Sequence, residues 1–193
     1  MQTKNTPSSE EYDRKKLLSF LTALCLFFSA IELALPKPFP FIRLGLANTP
    51  IILSLFILPP SQFFILVLLK IFVQNLISGT LFSYTILFSV AGSLASSLIM
   101  FSLFKLLYRR NLISLTGISL AGALFNSLAQ LLVSYFFIFN ENTKFIAPFL
   151  LASSFITGIL LGLAITCFTN NSEWFSKITS NSNYRNLFSG DKK

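Results

Sequence analysis

Histidine is absent from this sequence, and cysteine and charged residues are scarce. The commonest general base and metal ligand of proteins is therefore missing. The two cysteines, Cys25 and Cys167, lie inside apolar runs and outside any metal-spaced motif, so we expect both to be small buried hydrophobes. Soluble domains carry about 25% charged residues. A chain with 11% has too few of them to cover a solvated surface.

Acidic and nucleotide-binding motifs are scarce as well. The two aspartates, Asp13 and Asp191, lie near the ends of the chain, which excludes an aspartate-rich magnesium–diphosphate site from its apolar part. No Walker-type glycine loop is present, so we expect that the chain does not itself hydrolyse ATP. Because no catalytic constellation is visible, we expect a non-enzymatic protein without a metal or another cofactor.

Apolar residues make up most of what is present. The 193 residues are 53% hydrophobic and include 23 phenylalanines, and the mean hydropathy is +0.71. The phenylalanines are spread along the whole chain, so one soluble core could not bury them all. The composition predicts an all-α polytopic bundle in a lipid bilayer, built as a single domain.

Six apolar runs approach the length of about 20 residues that a membrane-spanning helix needs. Prolines, glycine and polar or basic residues separate them. We expect a polar N-terminal tail over residues 1–16, a transmembrane domain over residues 17–168 and a polar C-terminal tail over residues 169–193. The predicted spans are Leu17–Leu35, Phe41–Leu58, Ser61–Ser78, Leu81–Leu107, Leu112–Phe139 and Phe145–Phe168.

The distribution of lysine and arginine predicts the orientation of these spans, because positive residues concentrate on the cytoplasmic side. Six spans place both termini in the cytoplasm, with the bundle in the cytoplasmic (inner) membrane. The charges are dispersed and form no basic groove, so we expect no nucleic-acid partner. Eleven basic residues then lie inside (Lys4, Arg14, Lys15, Lys16, Lys105, Arg109, Arg110, Lys177, Arg185, Lys192 and Lys193) and three outside (Lys37, Arg43 and Lys144).

Several polar side chains fall within the predicted spans, where each is a candidate for function because burial in a bilayer is costly. Helical i,i+4 spacing puts Lys70 and Gln74 on one face, and Asn126 and Gln130 on another. We expect both faces to point into the bundle, mostly in its outward half. A small-molecule ligand taken from outside would bind there. The candidate binding residues are Glu32, Arg43, Asn48, Lys70, Gln74, Asn126 and Gln130, with Asn75 beside them.

A structural explanation of the same residues stays open. Glu32 could neutralise Arg43 or Lys70, and the amides could form interhelical hydrogen bonds of about 0.6 kcal/mol each. Small residues along the chain also have two explanations. They allow close helix packing within the bundle, or, in the case of Ala30 and Ala34, they dock a partner membrane protein.

A longer motif carries a family resemblance. The segment 32–48, ELALPKPFPFIRLGLAN, is followed by Lys70, Ser78-Gly79-Thr80, Ser89-Val-Ala-Gly92 and a Gly117–Gln130 region. Together they resemble a bacterial membrane family known as the Gx transporter family, or heptaprenyl diphosphate synthase component I. The resemblance extends over about residues 17–168. This sequence departs from the family pattern by having Lys70 in place of arginine.

The resemblance implies a fold similar to the substrate-binding (S) components of energy-coupling factor vitamin transporters. Such a protein captures a small molecule, for example a vitamin or cofactor precursor, and depends on a coupling membrane subunit and on ATPases. The family name implies an alternative: a non-catalytic membrane accessory subunit of a polyprenyl diphosphate, quinone or flavin-linked redox pathway.

Overall fold

Six helices make up the described part of the chain. The computed structural model describes residues 9–34, 45–110, 112–139 and 143–172, and no strand occurs among them. The helices are α1 (Ser9–Ala34), α2 (Thr49–Ile57), α3 (Pro60–Ile77), α4 (Thr85–Leu106), α5 (Leu115–Ser134) and α6 (Thr143–Asn171).

Four of these helices, α3 to α6, are long and apolar enough to cross a membrane. Many of their large apolar side chains are exposed, such as Leu68, Phe72, Leu98, Leu132 and Leu160. In water this surface would be strongly unfavourable, whereas lipid tails solvate it. The all-helical membrane bundle predicted from composition is therefore confirmed.

The first two helices differ in length from the predicted spans. Helix α1 has 26 residues and begins at Ser9, eight residues before the apolar run, because the polar segment ahead of Leu17 is helical too. Helix α2 has nine residues and continues a three-residue 3-10 turn, Leu46–Asn48. The turn and α2 together are about 18 Å long along the helix axis, which is shorter than the ~30 Å thickness of the hydrocarbon core of a bilayer. The predicted start at Phe41 lies outside the described residues.

Local sequence explains where α2 ends and where α3 begins and ends. Leu58 is extended, with φ −100° and ψ 143°, as expected before a proline. Pro60 then occupies the first turn of α3, where a missing N–H costs nothing. At the far end Gly79 has φ +65°. Its N–H donates to Leu76 O at 3.1 Å, and Thr80 N–H donates to Asn75 O at 2.9 Å, which forms a Schellman cap.

The boundaries of the later helices are close to those predicted from the sequence. Helix α4 begins at Thr85 instead of Leu81 because the chain forms hydrogen-bonded turns over residues 80–84. Helix α5 is capped by Ser114, whose Oγ accepts from Gly117 N–H at 3.2 Å, and it continues as a π-helical turn over Tyr135–Phe139.

Consecutive long helices pack side by side, with α1 against α3, α3 against α4, α4 against α5, and α5 against α6. The short α2 lies in the middle and contacts α1, α3, α4 and α6, and most of its residues are buried. Cys25 is buried as predicted, whereas Cys167 is exposed on α6. That prediction was wrong because an apolar run in a membrane helix has a lipid-facing side as well as a packed one.

Glycines allow the closest contacts between helices. A methyl group at Gly162 would lie 2.6 Å from Cα of Thr116, and one at Gly158 would lie 3.0 Å from Cα of Leu120. Ser119 Oγ donates to the Gly158 carbonyl at 2.9 Å across the same contact. The packing role predicted for these small residues therefore applies to the α5–α6 pair.

Candidate functional site

Lys70 is the charged centre of a buried polar cluster. Its side chain is 3% exposed although it lies in the middle of an apolar helix. Its Nζ donates to Asn48 Oδ1 at 2.6 Å and to Ser93 Oγ at 3.1 Å. One ammonium group therefore joins α3 to the turn before α2 and to α4. Charge-assisted hydrogen bonds of this kind offset part of the cost of placing a cation within a bilayer.

Gly45 positions the amide of Asn48 for this contact. Its backbone is left-handed, with φ +81°, and its carbonyl accepts from Asn48 N–H at 2.8 Å, which closes the 3-10 turn. A methyl group at position 45 would lie 3.0 Å from Asn48 Nδ2. A side chain there would both strain the backbone and crowd the amide.

Helix α5 brings two more amides to the cluster. Asn126 and Gln130 are 8% and 2% exposed, as their i,i+4 spacing predicts. Both lie against Gly92 of α4: a methyl group there would overlap Asn126 Oδ1 and lie 3.1 Å from Gln130 Nε2. Gly92 and Ser93 are consecutive residues of α4 that point about 100° apart around its axis. The polar groups of α5 and of α3 therefore meet α4 at neighbouring residues, on adjacent faces.

Two acceptors near this cluster lack a hydrogen-bond partner among the described residues. They are Gln74 Oε1 and Gln130 Oε1, both buried. Gln74 lies one helical turn beyond Lys70 on the same face of α3. A buried acceptor without a partner costs about 1–3 kcal/mol, and such groups are uncommon in proteins. A bound molecule with hydrogen-bond donors would satisfy them.

Asn75 has a bracing position beside the cluster. It is fully buried, and its Nδ2 donates to Ile71 O at 2.7 Å and to Ser89 Oγ at 3.0 Å. Its Oδ1 accepts from Thr80 Oγ1 at 3.0 Å. These bonds fix the end of α3 to α4, so the geometry gives Asn75 a structural role.

The remaining candidates are Glu32, Arg43 and the two alanines of α1. Glu32 is 1% exposed, near the end of α1, the helix that packs against α3. Arg43 lies outside the described residues, so its predicted pairing with Glu32 stays a prediction. Ala30 and Ala34 are exposed on α1 and are therefore accessible for the predicted docking of a membrane partner.

A row of serines on α4 is the feature that the sequence analysis missed. Ser89, Ser93, Ser96 and Ser97 are all buried, and their spacing places them on one helical face. That spacing was a usable signal, because a serine stripe in an apolar helix indicates a face turned toward other helices. A second set of hydroxyls joins α5 to α6, with Ser127 Oγ hydrogen-bonded to Ser154 Oγ.

The cluster offers hydrogen-bond donors and acceptors. Its groups are one ammonium, several amides and several hydroxyls, which hold polar atoms by hydrogen bonds. Among the described residues, no group of three or more His, Cys, Asp or Glu side chains could hold a metal ion.

The fold defines the class: a helical membrane protein, with a buried cluster of polar side chains around Lys70. A sequence model of the family described as heptaprenyl diphosphate synthase component I matches residues 21–168. The chain belongs to that family, which confirms the resemblance carried by its motifs. No significant match was found among curated proteins or among solved structures.

Proposed function

We propose that this chain is a membrane-embedded binding subunit that takes up a small polar molecule at the Lys70 cluster. The observation that carries the proposal is the position of Lys70, bonded to Asn48 and Ser93, together with two buried amide oxygens that have no hydrogen-bond partner among the described residues. A hydrogen-bond donor on a ligand would satisfy Gln74 Oε1 and Gln130 Oε1 and recover the free energy that each costs without a partner.

The cluster defines the chemistry of the ligand. Lys70 attracts a carboxylate, phosphate or carbonyl oxygen, while Gln74 Oε1 and Gln130 Oε1 require N–H or O–H donors. A small molecule with an anionic or carbonyl group and nearby donors satisfies both, as vitamins and cofactor precursors commonly do. We propose binding without chemical conversion, because the cluster consists of groups that hold and orient a molecule.

Uptake also requires an energy source. We propose that a coupling membrane subunit with ATPases supplies it, docking on the exposed Ala30 and Ala34 stripe of α1. Small residues let another helix approach closely in a bilayer. In the predicted orientation, with both termini in the cytoplasm, Gln74 and Gln130 lie in the outward half of the bundle, and Lys70 and Asn126 lie nearer its middle.

A second candidate function follows from the family description. A synthase component need not be catalytic, and this chain could be the membrane-anchored accessory subunit of a prenyl diphosphate enzyme. In that case the polar cluster is structural, and partner proteins copurify while the cluster holds no small molecule.

Native mass spectrometry separates the two candidates. The full chain is purified from its host membranes in mild detergent, together with the variants Lys70→Met and Lys105→Met. Lys105 is an exposed lysine at the end of α4 and serves as the matched control. We expect the wild type and Lys105→Met to retain the same small molecule.

Lys70→Met should bind that molecule with at least tenfold lower affinity, because a hydrogen bond to a charged group contributes about 1.5–3 kcal/mol. A folded Lys70→Met protein with full occupancy would contradict the uptake proposal. Copurifying synthase subunits with an unoccupied wild-type cluster would favour the accessory function instead.

A further inference from the structure

A cavity lies between α1, α2 and α6, and no residue of the Lys70 cluster lines it. Its volume is about 600 Å³, within the range of small-molecule sites. Its walls are almost entirely apolar. The residues that line it are Phe20, Leu21, Leu24, Phe28, Thr49, Leu53, Ile57, Ala164, Ile165, Phe168 and Ser172.

The shape of this cavity suits a hydrocarbon chain. From Phe20 to Phe28 it follows α1 for about 12 Å, at 1.5 Å per residue. Phe20 and Phe168 are each about half exposed, so the cavity is partly open at its side. Apolar cavities exclude water and accept apolar molecules. In a bilayer, a cavity open at the side is in contact with lipid tails.

Positive charge lies beyond one end of the cavity. Lys16 precedes Phe20 by four residues on α1, so it lies on the same helical face one turn farther from the cavity, and it is exposed. Arg14 and Lys15 come directly before it in the same helix. Basic residues at the end of a membrane helix attract anionic headgroups. An apolar cavity that continues toward a cationic end is complementary to an anionic amphiphile.

We propose that this cavity binds one acyl chain of an anionic bilayer phospholipid, with the headgroup phosphate at Lys16. The site is independent of the Lys70 cluster, so it does not depend on the proposed uptake function. This lipid site makes the bundle prefer anionic phospholipid on the side of the membrane where α1 begins and α6 ends.

The test uses the full chain in vesicles of equimolar phosphatidylglycerol and phosphatidylcholine, followed by native mass spectrometry of the retained lipids. We expect the wild type to retain one phosphatidylglycerol with about a fivefold preference over phosphatidylcholine. Lys16→Gln should reduce the preference to near parity. Its control, Lys105→Gln, removes an exposed lysine at the end of α4 and should leave the preference unchanged.

Filling the cavity tests the chain-binding part. Leu24→Trp should abolish retention of the lipid. If that variant fails to fold, Ala164→Phe fills the same cavity with a side chain on α6. Leu98→Trp adds the same bulk at an exposed position on α4 and should have no effect.

Three outcomes would overturn the proposal. The first is equal retention of the two lipids by the wild type, and the second is unchanged retention after the cavity is filled. The third is displacement of phosphatidylglycerol by an equimolar C15 prenyl diphosphate. If Leu24→Trp also prevents binding of the prenyl diphosphate, the cavity binds a prenyl ligand instead.

Discussion

Replacing Gly92 by alanine tests the polar cluster with the addition of one carbon atom. The new methyl group overlaps Asn126 Oδ1, and it lies 3.1 Å from Gln130 Nε2 and 3.3 Å from Asn126 Cγ. Both amides are buried, so each must rotate or shift within a packed site. We therefore expect Gly92→Ala to displace the Asn126 and Gln130 amides without removing any polar group.

The stability effect of this substitution should be small. Overpacking typically costs about 1–3 kcal/mol, whereas alanine in place of glycine within a helix returns up to about 1 kcal/mol. The balance is a destabilisation of about 0–2 kcal/mol, equivalent to a decrease in Tm of at most about 8 °C. Binding should be measurably weaker, because one displaced hydrogen bond of about 1.4 kcal/mol lowers affinity tenfold.

Gly122→Ala is the matched control. A methyl group at Gly122 lies 2.7 Å from Sδ of Met100, a flexible thioether on α4. The two variants should therefore have similar melting temperatures in detergent, while Gly92→Ala alone loses the bound molecule in mass spectra. A folded Gly92→Ala protein with wild-type occupancy would refute the assignment of Asn126 and Gln130 to the ligand site.

Three further predictions concern packing and orientation. Gly162→Ala should destabilise the protein by about 3 kcal/mol, because its methyl group lies 2.6 Å from backbone Cα of Thr116; a thermal unfolding scan indistinguishable from that of Gly122→Ala would contradict this. A double-mutant cycle of Ser127→Ala and Ser154→Ala should give a coupling energy of about 0.6 kcal/mol, and additivity of the two would show that their hydrogen bond contributes nothing. Reporter fusions at both termini should be active only in the cytoplasm, and one periplasmic terminus would refute the predicted orientation.

The sequence was sufficient to predict the helices and which of their faces are buried. Apolar runs ended by Pro59-Pro60 and Gly79 gave the limits of α3 to within a residue. The i,i+4 pairs Lys70 with Gln74 and Asn126 with Gln130 are buried as expected. Both results follow from local physics: prolines interrupt helices, and polar groups avoid lipid.

The partners of those faces could not be predicted from the sequence. Helical spacing predicts that Lys70 points into the bundle. Only the tertiary fold brings it to Ser93 of α4 and to Asn48 of the turn before α2. The serine stripe of α4 indicates a face turned toward other helices, but it does not identify which helix packs against that face. The shortness of α2 was also missed, because its buried central position makes it apolar except for Thr49 and Ser54, as in a membrane span.

The most direct test of the account is an experimental structure of the full chain purified from its host membranes with whatever it binds. The account predicts non-protein density within hydrogen-bonding distance, about 2.7–3.2 Å, of Lys70 Nζ and of Gln130 Oε1. A well-resolved cluster in which Gln74 and Gln130 bond only to protein side chains, with no additional density, would contradict the account and make the cluster structural.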